Sequence, residues 1–195
     1  MFDNLLNFFN VEKEYKTLES EYETLLEYLG GTQFAKGLFT IIEKSKVDEW
    51  SDRVYTMFPV FKDSSKVFAY DWRGRCFGID VSNGLDNYVI IFDPGTVNTY
   101  EIPLNLLDFL NIAIPGATKK CLDSELFIKW YKKEKSVLLK SQCVGFKTPL
   151  FLGGKDELSN IEVSDIDVYW YLMTQIHEQV QCLEEGTIIG NFTIE

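Results

Sequence analysis

The side chains able to do chemistry are few and scattered along the 195 residues. The single histidine, His177, lies in a stretch of helical spacing beside the apolar Ile176 and four residues before Gln181. A nucleophilic triad needs a base to activate its serine or cysteine, most often histidine. One such arrangement remains open, a pair between His177 and Cys76, Cys121 or Cys143, against the plainer reading of a helix-boundary histidine. The four cysteines (Cys76, Cys121, Cys143, Cys182) stand 45, 22 and 39 positions apart, without the close pair that structural zinc sites show. They read as reduced, mostly buried thiols, and the scarcity of histidine removes the usual metal-binding motifs. Gly153-Gly154-Lys155 lacks the longer spacing of a P-loop, and the Asp156 and Glu157 that follow repel an anion, so it reads as a tight loop. Asp71, Asp80 and Asp93 each end a β-prone run, where carboxylates can hydrolyse a glycoside or hold a divalent cation. Turns select aspartate at the same positions through side-chain to backbone hydrogen bonds.

Trp72-Arg73-Gly74-Arg75 is the most informative cluster. On a hairpin turn, an indole and two guanidinium groups can stack together or grip a partner's carboxylates in bidentate fashion. They can equally be internal, with Trp72 on the sheet and the arginines paired with Asp71. With Asp71 before it, and Asp156 and Glu157 on the later loop, this cluster makes up the candidate partner-binding set.

The elements that must position these residues follow from periodicity. Tyr15, Leu18, Tyr22, Leu25 and Leu29 recur at steps of three and four, which predicts a helix between Val11 and Leu29 stopped by Gly30-Gly31. Gly37 to Ile42 reads as a short strand; Val47, Trp50, Val54 and Met57 give a helix that Pro59 ends. Four runs rich in Val, Ile, Phe and Tyr then follow: Lys66 to Asp71, Cys76 to Val81, Tyr88 to Asp93 and Thr99 to Ile102. Turn signals separate them, among them Ser82-Asn83-Gly84 and Pro94-Gly95-Thr96, the pattern of an antiparallel meander. Helical spacing returns in Leu104 to Ile112, closed off by Pro115-Gly116, and in Ser124 to Lys133. A last long helix is predicted from a Ser164-x-x-Asp167 capping box to Gly186, with a short tail strand after it. The fold class is therefore α+β, a central antiparallel sheet of four to six strands flanked by N- and C-terminal helices.

Composition bounds the function. The formal charge is -11, from 19 Lys+Arg against 30 Asp+Glu. It divides unevenly: -5 over residues 1 to 30, +2 over 31 to 154 and -8 over 155 to 195. Such acidity opposes nonspecific contact with nucleic acid or anionic lipid, both of which need phosphate neutralisation by Lys and Arg. No apolar run is long enough to span a membrane, and the first ten residues lack the basic flank and cleavage site of a leader, which points to the cytoplasm.

Against this background the order of Leu26 to Gly31 (LLEYLGG), Trp50, Phe58-Pro59, Phe68 to Asp80 (FAYDWRGRCFGID), Val89 to Asp93 (VIIFD) and Ile102 to Leu110 (IPLNLLDFL) resembles the SUKH superfamily. That superfamily comprises relatives of a glucan-synthesis regulator and many bacterial immunity proteins. The resemblance spans about residues 15 to 112, and in particular the chain looks like immunity proteins of type VI secretion and contact-dependent toxin systems. It implies a single SUKH-like domain over 1–195 with a C-terminal helical extension from about 113, and no enzymatic activity, cofactor or metal. It further implies binding to a cognate protein toxin, for which the acidity fits a basic surface, by a monomer or weak homodimer. A regulatory scaffold for a housekeeping protein and a carboxylate-dependent hydrolase are the alternatives.

Overall fold

Six strands follow one another across a single antiparallel sheet in the computed structural model, which describes residues 1–82, 88–184, 186–187 and 192–193. They are β1 (Gln33–Phe34), β2 (Phe39–Ile41), β3 (Ser65–Asp71), β4 (Cys76–Asp80), β5 (Val89–Asp93) and β6 (Asn98–Ile102), in sheet order as in sequence. The α+β class and the central antiparallel sheet are as the periodicity predicts. The expected strand from Gly37 is shorter, because a 3-10 turn over Ala35–Gly37 precedes β2. The Asn83-Gly84 turn between β4 and β5 lies outside the described residues.

Both faces of this sheet are buried. The helices α1 (Asp3–Phe8), α2 (Glu21–Leu29), α4 (Leu106–Asp108), α5 (Ile114–Leu122) and α6 (Ser124–Glu134) share one core with Phe68, Phe77, Ile79 and Ile91. The second core lies on the opposite face, where α3 (Val47–Met57) and α7 (Ile166–Val180) cover Val67, Tyr70, Cys76, Ile90 and Phe92. Alternate residues of β5 divide between the two cores, as the period of two requires. A bulge between Val67 and Ala69 breaks that alternation in β3, so Phe68 and Ala69 join the same core.

Four helix boundaries differ from the sequence reading. The helix expected from Val11 begins only at Glu21, because the Ser20 side chain accepts a hydrogen bond from the Glu23 N–H (3.1 Å) and caps it there. The helix expected to close at Pro115-Gly116 continues through it. A π-turn over Phe109–Ala113 leads into α5, whose first turn holds Pro115 where its missing N–H is not needed. The last helix is capped by Asp165, not Ser164; its carboxylate accepts from the N–H groups of Asp167 (3.0 Å) and Val168 (3.2 Å). That helix stops at Val180, short of Gly186, and the expected tail strand falls largely on residues outside those described. Asp165→Ala should remove about 1 kcal/mol of stability, read as a fall in Tm of about 2–4 °C by differential scanning calorimetry.

The region expected to be a C-terminal helical extension also carries a second sheet, β7 (Gln142–Phe146) paired with β8 (Ile161–Asp165). It is held to the first sheet through the two turns at its end. Val144 N–H donates to the Trp72 carbonyl (2.6 Å), and Leu150 N–H donates to that of Gly95 (2.9 Å). Gly145 matters here: a Cβ at this position would lie 2.4 Å from the Tyr169 ring, so only glycine lets α7 pack this closely on β7.

Candidate functional site

The hairpin that follows β3 is internal. Trp72 is 1% exposed and donates its indole N–H to the Leu122 carbonyl (2.8 Å), while its ring packs on Phe127 and Trp130. Asp71, equally buried, accepts from the Arg75 guanidinium through one oxygen (2.8 and 2.5 Å) and from the N–H groups of Arg73 and Arg75 through the other. Arg75 also reaches the Cys121 carbonyl (3.1 Å). Arg73 spans further, to Asp123 (2.7 Å) between α5 and α6 and to Asp156 (2.8 Å) on the loop before β8, with its guanidinium over the Phe146 ring. Asp71, Trp72, Arg73, Arg75 and Asp156 are thus brought together as a cross-link between the sheet and the segments that follow it. Asp156 keeps about half its side chain in solvent, and Glu157 is exposed beside it.

Burial pushes the Asp71 carboxyl above its ordinary value despite the neighbouring Arg75; two guanidinium contacts and two backbone N–H groups nevertheless hold the carboxylate in place. Burial likewise raises Asp123, with Asp156 nearby acting in the same direction.

The three strand-end aspartates do not converge. Asp80 pairs with Ser65 at the far end of β4 from the Asp71 turn, about 13 Å along the strand. There it accepts from the Ser82 hydroxyl, while Asp93 accepts from the N–H groups of Gly95 and Thr96. Each ties a turn. His177 sets its ring edge-on to Phe151 at 6.0 Å, and Cys76 and Cys143 are buried thiols whose pKa values burial pushes up. Among the described residues no group of three His, Cys, Asp or Glu side chains is placed to hold a metal ion, and no helix is long and apolar enough to cross a membrane.

Partial burial lowers the His177 pKa. The folded chain therefore binds a proton there less readily than the unfolded chain. The stability this site contributes is full above the unfolded value of about 6.5 and declines as pH falls through that value towards the folded one. Urea denaturation between pH 7 and pH 5.5 should show this decline, and His177→Gln should flatten it.

What α7 offers to solvent is different in kind. Its inward side holds Ile166, Tyr169, Trp170 and Met173, and Trp170 donates to the Gly74 carbonyl (2.8 Å). One turn apart on its outer side stand Val168 (50% exposed) and Tyr171 (46%). Exposed carboxylates accompany them: Asp167 at the start of α7, Glu162 at the β8 position paired with Gly145 beneath α7, and Glu49 on α3, tied to Asp167 through Arg53. Arg53 joins the two helices by pairing with Asp167 and with Glu49 (3.3 Å), and stacks over Trp50. Its Nη1 is buried and has no hydrogen-bond partner among the described residues. Arg53, Glu49 and Asp167 line a cleft of about 220 Å³ whose wall is the Trp50–Tyr70 ring stack, with centroids 4.6 Å apart. Burial raises the Tyr70 hydroxyl to about 12.

This combination of an exposed apolar group, an aromatic and clustered carboxylates suits contact with a basic protein surface. The sequence reading missed it. Its signal was present in the outward spacing of Asp167, Val168 and Tyr171, but β8 itself had not been recognised.

Residues 118–177 match the family model described as "T6SS immunity protein Tdi1, C-terminal". That span contains α6, β7, β8 and most of α7. Among solved structures, the chain is similar to Atu4351 from Agrobacterium tumefaciens, with a TM-score of 0.61 and 17% identity over 90% of this chain and 89% of that one, a likeness of fold. No curated protein matches the sequence.

Proposed function

We propose that this chain is a non-enzymatic immunity protein that neutralises a type VI secretion toxin by binding the toxin domain in the cytoplasm. The observation that carries this reading is the match over residues 118–177, which falls on the segment that builds β8 and α7 and so supplies most of the acidic, apolar-studded face. The toxin surface it fits is basic. Val168 and Tyr171 would sit at the centre of the contact, and the carboxylates beside them would steer encounter and fix orientation. An acceptor group of the toxin entering the small cleft would satisfy Arg53 Nη1. SUKH membership rests on the motifs of residues 15 to 112, and the two likenesses cover adjoining parts of the chain.

The test is coexpression with the toxin encoded beside this gene. Cells carrying both should survive, the two proteins should copurify, and their association rate should fall as ionic strength rises past about 0.15 M, where the Debye length is about 8 Å. Failure to rescue, with no toxin gene nearby, would overturn the proposal. Capture of a metabolic enzyme instead would favour the scaffold alternative.

A further inference from the structure

A second surface, on the other side of the sheet, has the opposite character. The end of α1, the turn before β2, the start of α5 and the first turns of α6 enclose a groove of about 730 Å³. Its floor is apolar: Leu38 and Phe127 are buried there, while Phe8 (42% exposed) and Ile128 (49%) flank it. Lys119 and Lys120 line it too. Although the chain carries -11 overall, residues 119 to 135 hold six lysines against three acids. Those acids are engaged: Asp123 by Arg73, Glu125 by Lys119 and Glu134 by Lys133. Of the two lysines that line the groove, Lys119 pairs with Glu125 and Lys120 has no carboxylate within ion-pair reach among the described residues; Lys129 and Lys132 add positive charge further along α6. An apolar trough with a cationic border is the complement of an amphipathic helix with acidic flanks.

We propose that this groove binds an acidic amphipathic helix of another protein. A second copy of this chain does not suit it. A symmetric dimer through the groove would set each copy's lysines against the other's, and pairing the groove with the acidic face of α7 is a head-to-tail contact that does not close by a two-fold axis. The proposal does not depend on the toxin reading, because the α3–α7 face and this groove belong to different cores.

The probe is a fluorescein-labelled designed helix of about 18 residues with leucines at i, i+3, i+4 and i+7 and glutamates elsewhere, compared with the same peptide carrying lysines for the glutamates. Anisotropy should show saturable binding of the acidic peptide and at least about tenfold weaker binding of the basic one. Ile128→Glu and Lys120→Glu, both at exposed positions, should each weaken the acidic peptide about tenfold with unchanged thermal melts. Absence of saturation, equal binding of the two peptides or indifference to both substitutions would overturn the proposal. So would a concentration-dependent dimer in sedimentation that Ile128→Glu abolishes, since the groove would then belong to a second copy.

Discussion

Arg75→Ala is expected to lower the unfolding free energy by about 3–5 kcal/mol, because it strands a carboxylate in a position with no route to water. Asp71 is 1% exposed, and Arg75 supplies both of its guanidinium hydrogen bonds. Asp71→Asn in the same chain should recover much of the loss. The neutral amide needs no counter-charge, and its oxygen still accepts from the N–H groups of Arg73 and Arg75, which close the turn. Urea denaturation of the single and double variants measures both steps. A contact residue for a partner would behave differently, with little change in stability and a large change in affinity. Loss of toxin binding by a fully stable Arg75→Ala protein would show that the hairpin reaches the partner after all.

The second large effect belongs to the outer side of α7. Tyr171→Ala should weaken toxin binding by roughly 2 kcal/mol or more, about thirtyfold, as expected for an aromatic near the middle of an interface. A thermal melt of the variant separates lost affinity from lost stability, since about half of the side chain meets solvent and the rest packs on the protein. Glu162→Lys should act mainly on the association rate and reduce its salt dependence, with a smaller change in dissociation. Surface plasmon resonance at two ionic strengths separates these effects. If Tyr171→Ala binds and protects like the parent, the proposed face is not the contact.

The central sheet was legible in the sequence because each strand is short, β-prone and bounded by a turn: Cys76 to Val81 and Tyr88 to Asp93 lie within a residue of the observed strands. Trp50, Val54 and Met57 likewise marked α3. Periodicity misled where a local hydrogen bond outcompeted it. Leu18 continues the helical spacing of α2, yet the cap at Ser20 leaves it outside the helix and 39% exposed. Proline misled in the other direction, since Pro115 reads as a stop unless the preceding turn is known to be a π-turn. The candidate site was half legible. The residues from Asp71 to Arg75 stood out correctly as a charged hairpin, and both of the roles weighed for them, internal and outward, were compatible with the sequence. The choice depends on Asp123 and Asp156, 50 and 83 positions from Arg73, whose approach no local pattern encodes.

Because the six-stranded sheet separates two cores that draw on different helices, it also separates their mutational histories. Changes on α3 and α7 that retune the acidic face are felt among Trp50, Tyr70 and Trp170, whereas changes around α1, α5 and α6 are felt among Leu38, Phe127 and Trp130. Substitutions on opposite sides, such as Tyr171→Ala with Ile128→Glu, should combine additively in stability to within about 0.5 kcal/mol. A lineage under pressure to follow a changing partner on one side can therefore vary that side without first repairing the other.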